Sequence, residues 1–317
     1  MGYVEASRGC KHLCRHCPIP PVYGGRFFVV PPEVVLADVR QLVAAGARHI
    51  TFGDPDFLNG PRHALAVARA VHAEFPDVTF DITAKVEHLL KRRVDLPELA
   101  SLGCLFIVSA VESLSDEVLT ILDKGHTAAD IRAALTVVRD SGISLRPTWV
   151  AFTPWTTLAD YTAMLDFIES EDLIDHVDPV QFSVRLLIPP GSLLLQSEAL
   201  RPHLGELVPD AFHYRWLHPD PRMDALHAEI SQVVAEAAKT KEDAVITFHR
   251  IRALTHTYAA KSTEAETPDR FRDLTHTTSP TRPEARAEAH GSVVLLKRTD
   301  RGPGGPRRTR RVDYGER

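Results

Sequence analysis

The chain has 317 residues, 44% of them hydrophobic and 25% charged, with a net charge of −5. That is enough chain for one large α/β barrel or two modest domains, and no run approaches the roughly 20 apolar residues of a membrane helix. The first residues hold Glu5, Arg8 and Cys10 instead of an apolar segment, which excludes a secretory signal. Four cysteines, three of them clustered, argue against a disulfide framework and for a reducing cytoplasm. The charge is unevenly placed, because residues 282–317 carry ten Lys and Arg against five Asp and Glu.

Short apolar runs alternate with amphipathic stretches through the middle of the chain, the βαβα pattern of a parallel sheet. Residues 3–6 read as a first strand that delivers a cysteine loop. Residues 34–45 form a helix with Val35, Val39, Leu42 and Val43 on one face and Gly46 as its stop. A second strand at 49–52, a helix at 64–74 and a third strand at 78–82 follow. A short helix at 96–102 precedes a fourth strand at 105–109, and two helices open at Ser115 and Thr127, hydroxyl residues able to cap free N–H groups. A fifth strand at 144–152, a helix at 158–169 and a sixth strand at 180–187 complete six strand–helix units. The fold class is therefore α/β, a partial TIM-like (β/α)6 barrel. It is followed by a small, mostly helical C-terminal region with one long helix at 222–237 and an ambiguous segment at 245–258. The expected division is a barrel over 1–200, an accessory region over 201–265 and a disordered basic tail over 266–317.

Cys10, Cys14 and Cys17 have the spacing C-x3-C-x2-C. Three thiolates on a tight loop can hold three irons of a [4Fe–4S] cube and leave the fourth open to a chelating molecule. The same residues could instead bind zinc, with His12 or His16 as fourth ligand of a Cys3His set, or stand as plain reduced thiols. Cys104 lies in the apolar run 104–108 and reads as a buried core thiol.

Active sites of parallel α/β barrels form at the carboxyl edge of the strands, and that is where the out-of-place polar residues fall. They are the cysteines after strand one, Gly53–Asp56 after strand two, Val111–Ser113 after strand four, Thr153–Thr157 after strand five and Pro190–Ser192 after strand six. With Lys124–Thr127, all of these segments except Thr153–Thr157 resemble the radical S-adenosylmethionine (SAM) core over residues 3–195, especially the branch shared by cobalamin-associated enzymes and tRNA methylthiotransferases. The segment through Arg26 also resembles the CUAEP/CCAEP-tail radical SAM group, whose members tend to end in a paired-cysteine or selenocysteine tail. Here no cysteine follows Cys104. If the resemblance holds, an altered frame at the basic end and a clipped N-terminus are expected, which sequencing the locus would test.

The resemblance implies a [4Fe–4S] cluster on Cys10, Cys14 and Cys17, with SAM on its open iron. SAM would be cleaved reductively to a 5′-deoxyadenosyl radical that abstracts hydrogen from a substrate. It places Gly53 and Asp54 at the SAM ammonium, Glu112 at the ribose diol and His16 near the adenine. Arg146, Arg185 and Ser109 are candidates for the SAM carboxylate. Against these stand plainer readings. Glu112 suits a helix N-terminus, Asp54 and Asp56 suit a turn around Pro55, His126 suits a helix entry capped by Thr127, and Thr153–Thr157 suits a strand-to-helix bend.

With only Cys104 left over, no second cluster is expected. No fused cobalamin-binding domain is expected ahead of the first strand, so cobalamin would have to come from a separate chain or from a lost N-terminus. The expected partners are a small-molecule or peptide substrate of unknown identity and an electron donor such as flavodoxin or ferredoxin, with neither membrane nor nucleic acid involved. The competing functions are a non-catalytic zinc or Fe–S binding protein and a truncated, inactive remnant of a cobalamin-associated enzyme.

Overall fold

A computed structural model describes residues 1–265, with side chains to residue 260. The chain opens with β1 (Gly2–Val4) and β2 (Ser7–Gly9), then the cysteine loop, a short α1 (Ile19–Tyr23) and β3 (Phe27–Val29). Then α2 (Pro32–Ala44) leads to β4 (His49–Phe52), and α3 (Pro61–Glu74) to β5 (Thr79–Thr83). Both helices begin on a proline, whose fixed φ suits the first helical position. Next come α4 (Val86–Lys91), α5 (Leu96–Ser101), β6 (Cys104–Glu112), α6 (Asp116–Ile121), α7 (Ala128–Asp140), β7 (Ser144–Trp149) and α8 (Leu158–Ser170). Thr127 and Thr157 each close a reciprocal capping box with the aspartate three residues on.

The central sheet has the order β1-β4-β5-β6-β7, every pair parallel. One face carries Ile50, Phe52, Phe80, Ile82 and Ile107, all nearly fully buried. Burying each such side chain contributes on the order of 1.5–3 kcal/mol. The alternate residues run across the sheet in register as Tyr3, Thr51, Asp81, Phe106 and Ser144. This second face is partly polar. Thr51 donates to Asp81 at 2.7 Å, His49 Nε2 lies 2.9 Å from the same oxygen, and Arg146 stacks 3.8 Å over the Phe106 ring.

The sixth strand expected at 180–187 is not built as a strand. Asp178 caps a 3-10 turn over Pro179–Ser183, and only Arg185 joins the barrel, through a single parallel bridge to Phe152. Pro179 lacks the N–H a strand would use and sits at the start of the turn.

Beyond residue 200 the structure adds a hairpin that the mostly helical expectation did not contain, β8 (Leu204–Val208) with β9 (His213–Trp216). Two helices follow, α9 (Pro221–Thr240) and α10 (Ala244–Ala265). The ambiguous stretch at 245–258 is thus helical, with Phe248 packed on Phe182 and Arg252 paired with Asp166 and Glu169 of α8. Among the described residues no helix is long and apolar enough to cross a membrane. The tail expected at 266–317 lies outside the described residues.

Candidate active site

The parallel pairing of Val4 with Phe52 places the ends of β1 and β4 side by side. Asp54, 2% exposed, accepts the Ala6 N–H at 2.9 Å and the Ser7 hydroxyl. It fastens the chain where it leaves the sheet for the cysteine loop. Burial pushes the Asp54 carboxyl up, against the pull of Ser7 and Ala6. The base of the loop is closed by the antiparallel pairing of β2 with β3, Ser7 opposite Val29 and Gly9 opposite Phe27. Gly9 is needed there: its φ is +77°, and a Cβ would lie 2.3 Å from the Arg26 carbonyl oxygen.

The loop is clamped at its middle as well. Arg15 N–H donates to Leu122 O at 2.9 Å, while the Arg15 carbonyl accepts from Leu194 N–H and from the Ser192 hydroxyl, each at 3.1 Å. The Pro190–Ser192 segment therefore acts as a backstop for the cysteines. Within the loop Cys17 N–H donates to Cys14 O at 3.2 Å. All three cysteines are free, Cys10 and Cys14 buried and Cys17 half-buried. Burial pushes the Cys17 thiol up; a backbone hydrogen bond at Ile19 opposes this, and the charges of Cys14 and Cys10 add to the rise.

Glu112 ends β6 with a left-handed backbone, φ +69°, rare for a residue with a side chain. Its carboxylate meets Lys124 Nζ at 3.1 Å and His16 Nε2 at 3.1 Å. Burial alone would push this carboxyl up, but Lys124 and His16 outweigh it and hold it down at about 2. Burial likewise acts to lower Lys124, and Glu112 with the Cys14 and Cys17 thiolates raises it above its ordinary value. A buried cation thus pairs with a carboxylate and feels the charge of Cys14 and Cys17 as well.

The other expected site residues are placed as follows. Gly53 gives its N–H to Val4 O at 2.8 Å and takes the Tyr3 hydroxyl on its carbonyl at 3.2 Å. A Cβ there would lie 1.9 Å from Tyr3. Ser109 is fully buried and donates to the Ala84 carbonyl at 2.8 Å, so its hydroxyl links two strands. Arg146 lies over Phe106 in the body of β7, away from the strand end. Arg185 is engaged by Asp224 at 2.7 Å, the Trp216 carbonyl at 2.9 Å and the Trp216 ring. The structure therefore brings His16 and Glu112 together with the cysteine loop, and commits Ser109 and Arg185 to structural partners. Lys124 was missed as a site residue. The signal was its place in the Lys124–Thr127 segment, but nothing local shows that it reaches back to Glu112. His126 Nε2–H donates to the Val111 carbonyl at 3.2 Å, and burial followed by Lys124 lowers the His126 pKa to about 4.

A family model described as the radical SAM superfamily matches residues 4–154. That stretch, a little under half of the chain, is a radical SAM domain. Enzymes of that superfamily use a [4Fe–4S] cluster and SAM. Among curated relatives, the chain is 29% identical over 195 residues to the ribosomal protein uS12 methylthiotransferase RimO of Desulfosudis oleivorans, covering 57% of this chain and 43% of that protein. It is 26% identical over 186 residues to a tRNA-2-methylthio-N(6)-dimethylallyladenosine synthase of Chlorobium luteolum, covering 53% and 39%. The chain thus spans about two fifths of the length of these relatives. Its fold is similar to that of the cobalamin-dependent SAM radical enzyme OxsB, with a TM-score of 0.65 and 16% identity over 84% of this chain and 48% of that one.

The residues present fit a cluster with SAM. Three free thiols lie on one clamped loop beside the buried Lys124 ammonium. His16 Nδ1 is buried without a hydrogen-bond partner, a polar atom left over for a bound molecule. His12, read as one candidate fourth ligand for zinc, directs its Nε2 at His88, 3.2 Å away.

Proposed function

We propose that this radical SAM enzyme cleaves SAM reductively and uses the radical to abstract hydrogen from an organic substrate, with Cys10, Cys14 and Cys17 holding the cluster. The observation that carries the reading is the three-thiol loop held at the sheet edge beside a buried Lys124–Glu112–His16 network. When bound and reduced, the cluster would supply one electron to the sulfonium of SAM, whose C5′–S bond would break to give methionine and a 5′-deoxyadenosyl radical. The protein's share is binding, orientation and exclusion of water.

Lys124 balances the charge of the thiolates and keeps Glu112 ionised. An ionised Glu112 accepts hydrogen bonds from a ribose diol, and His16 presents its unpartnered Nδ1 toward the nucleoside. Asp54 acts chiefly by fastening the loop through Ala6 and Ser7, with the Gly53 and Asp54 turn left as the acceptor edge for an ammonium group. Arg146, on the open face of the sheet, is better placed for a substrate than for the strand-end SAM site. The methylthiotransferase relatives suggest a sulfur- or methyl-transfer outcome. A second cluster would need cysteines beyond Cys104, so transfer of sulfur from such a cluster is not part of the proposal.

Low-temperature electron paramagnetic resonance of the reduced protein tests the reading. A [4Fe–4S]+ signal whose g values change when SAM is added supports SAM on an open iron. A signal indifferent to SAM, or no iron–sulfur signal after anaerobic reconstitution, contradicts it.

A further inference from the structure

A second constellation lies beside the cysteine loop and takes no part in the scheme above. The Nε2 atoms of His12, in the loop, and His88, on α4, face one another at 3.2 Å. Behind each ring stands a carboxylate. Asp56 Oδ2 lies 2.6 Å from His88 Nδ1, and Glu87 Oε2 lies 3.7 Å from His12 Nδ1. The negative charge of a carboxylate on the Nδ1 side favours the ring proton there and so favours Nε2 as the lone-pair donor. At 3.2 Å the two Nε2 atoms are close enough to share one ring proton as a hydrogen bond or to be bridged by a metal ion.

The dimensions suit a metal ion. Two nitrogens bound to one tetrahedral ion at about 2.0 Å are separated by about 3.3 Å. The ring planes are inclined at 63°, so the two donors do not stack. One donor atom from each of His12, Asp56 and His88 lies within 4.8 Å of the others. Asp56 is 1% exposed. Its Oδ1 accepts the Leu58 N–H at 3.2 Å, while Oδ2 and His88 Nδ1 are close but not aligned as a hydrogen bond and have no other partner. A buried carboxylate oxygen and a buried ring nitrogen left in this state are costly without further ordering of the site. Lys85 and Lys91 both pair with Glu87, so their two charges are offset by Glu87 and Asp56 and leave the locus close to neutral.

We propose that His12 and His88 bind one divalent cation of the zinc class, with Asp56 and Glu87 as the carboxylates that orient them. Two nitrogen donors leave coordination positions for water or an oxygen of a substrate. Because His12 lies between Cys10 and Cys14, a cation here also fixes the cysteine loop to α4. The site is separate from the three thiols and does not depend on SAM cleavage.

The test uses the full chain with its cluster loaded, equilibrated with Zn2+, desalted, and assayed for zinc and iron together with zinc K-edge EXAFS. The expected result is one zinc per chain in a nitrogen and oxygen shell with imidazole scattering, and iron content unchanged. His88→Gln is expected to weaken zinc binding at least ten-fold, and Asp56→Asn several-fold, each with iron content and far-ultraviolet circular dichroism like the parent. No retained zinc, a sulfur shell around it, or His88→Gln binding zinc as the parent does would overturn the proposal. Zinc on imidazole in a chain that takes up no iron would support this site while counting against the cluster assignment.

Discussion

Lys124 Nζ lies 3.1 Å from Glu112 Oε1, both groups are buried, and the pair is the electrostatic centre of the candidate site. Twelve residues separate them, with α6 between, so the pair also ties the end of β6 to the entry of α7. Removing one member of a buried pair strands the other charge and typically costs about 3–5 kcal/mol. Lys124→Met is therefore expected to lower the urea midpoint strongly and to reduce iron loading, because Cys14 and Cys17 lose a buried cation that acts on them electrostatically. A variant with parental stability and full iron content would contradict this role.

The same pair sets a pH dependence. Glu112 is held at about 2 against an ordinary 4.5. Its contribution is therefore fully present above about pH 4.5 and is lost progressively as pH falls toward about 2. A shift of that size corresponds to about 3 kcal/mol. Lys124 is raised, so its side of the pair persists until the pH passes above its ordinary 10.5. Urea unfolding at pH 6, 4.5 and 3 should show a loss below pH 4.5 that is reduced in Glu112→Gln. Identical acid profiles for the parent and Glu112→Gln would sink the assignment.

Gly9 governs the approach to the cysteines. Alanine there would have to adopt φ near +77° and push against the Arg26 carbonyl. Gly9→Ala should disturb the β2–β3 pairing and lower iron per chain by several-fold after reconstitution. Gly24, also at positive φ but with nothing near its missing Cβ, provides the comparison. Gly24→Ala should lose much less iron.

Asp54 separates fastening from ligand binding. Asp54→Ala leaves the buried Ala6 N–H and the Ser7 hydroxyl without their acceptor, worth about 1–3 kcal/mol for each group left unsatisfied. The expected phenotype is reduced stability and iron loading, with SAM affinity of the loaded fraction changed little. Full iron content with a large rise in SAM Kd would instead place Asp54 directly on the SAM ammonium.

The parallel strand–helix alternation was legible because each strand carries a short apolar run and each intervening helix an apolar stripe, as Val35 and Val39 show in α2. The capping box at Thr127 was legible from its hydroxyl, whereas Ser115, expected to cap in the same way, makes no side-chain cap bond, and the box at Thr157 was not read. The hairpins were not. β2 and β3 have three residues each, too short for alternation to show, and β8 and β9 expose much of their surface. At 180–187 the apolar content suggested a strand, but Asp178 and Pro179 impose a turn. In α10, packing of Phe248 and Ile251 in the core decides a segment whose Thr and His residues favour a helix only weakly. In the site, the cysteine spacing was legible locally. The reach of Lys124 to Glu112 and of His12 to His88 was not, since each depends on elements brought together only by the sheet.

The most direct test of the account is anaerobic reconstitution with iron and sulfide, reduction in the presence of SAM, and chromatography for 5′-deoxyadenosine. Parent protein and the single variants Cys10→Ala, Cys14→Ala, Cys17→Ala and Cys104→Ala would be compared. The account expects 5′-deoxyadenosine from the parent and from Cys104→Ala, and none from the other three. Product surviving in Cys14→Ala, or a fully loaded parent that never cleaves SAM even with substrate and electron donor supplied, would contradict it.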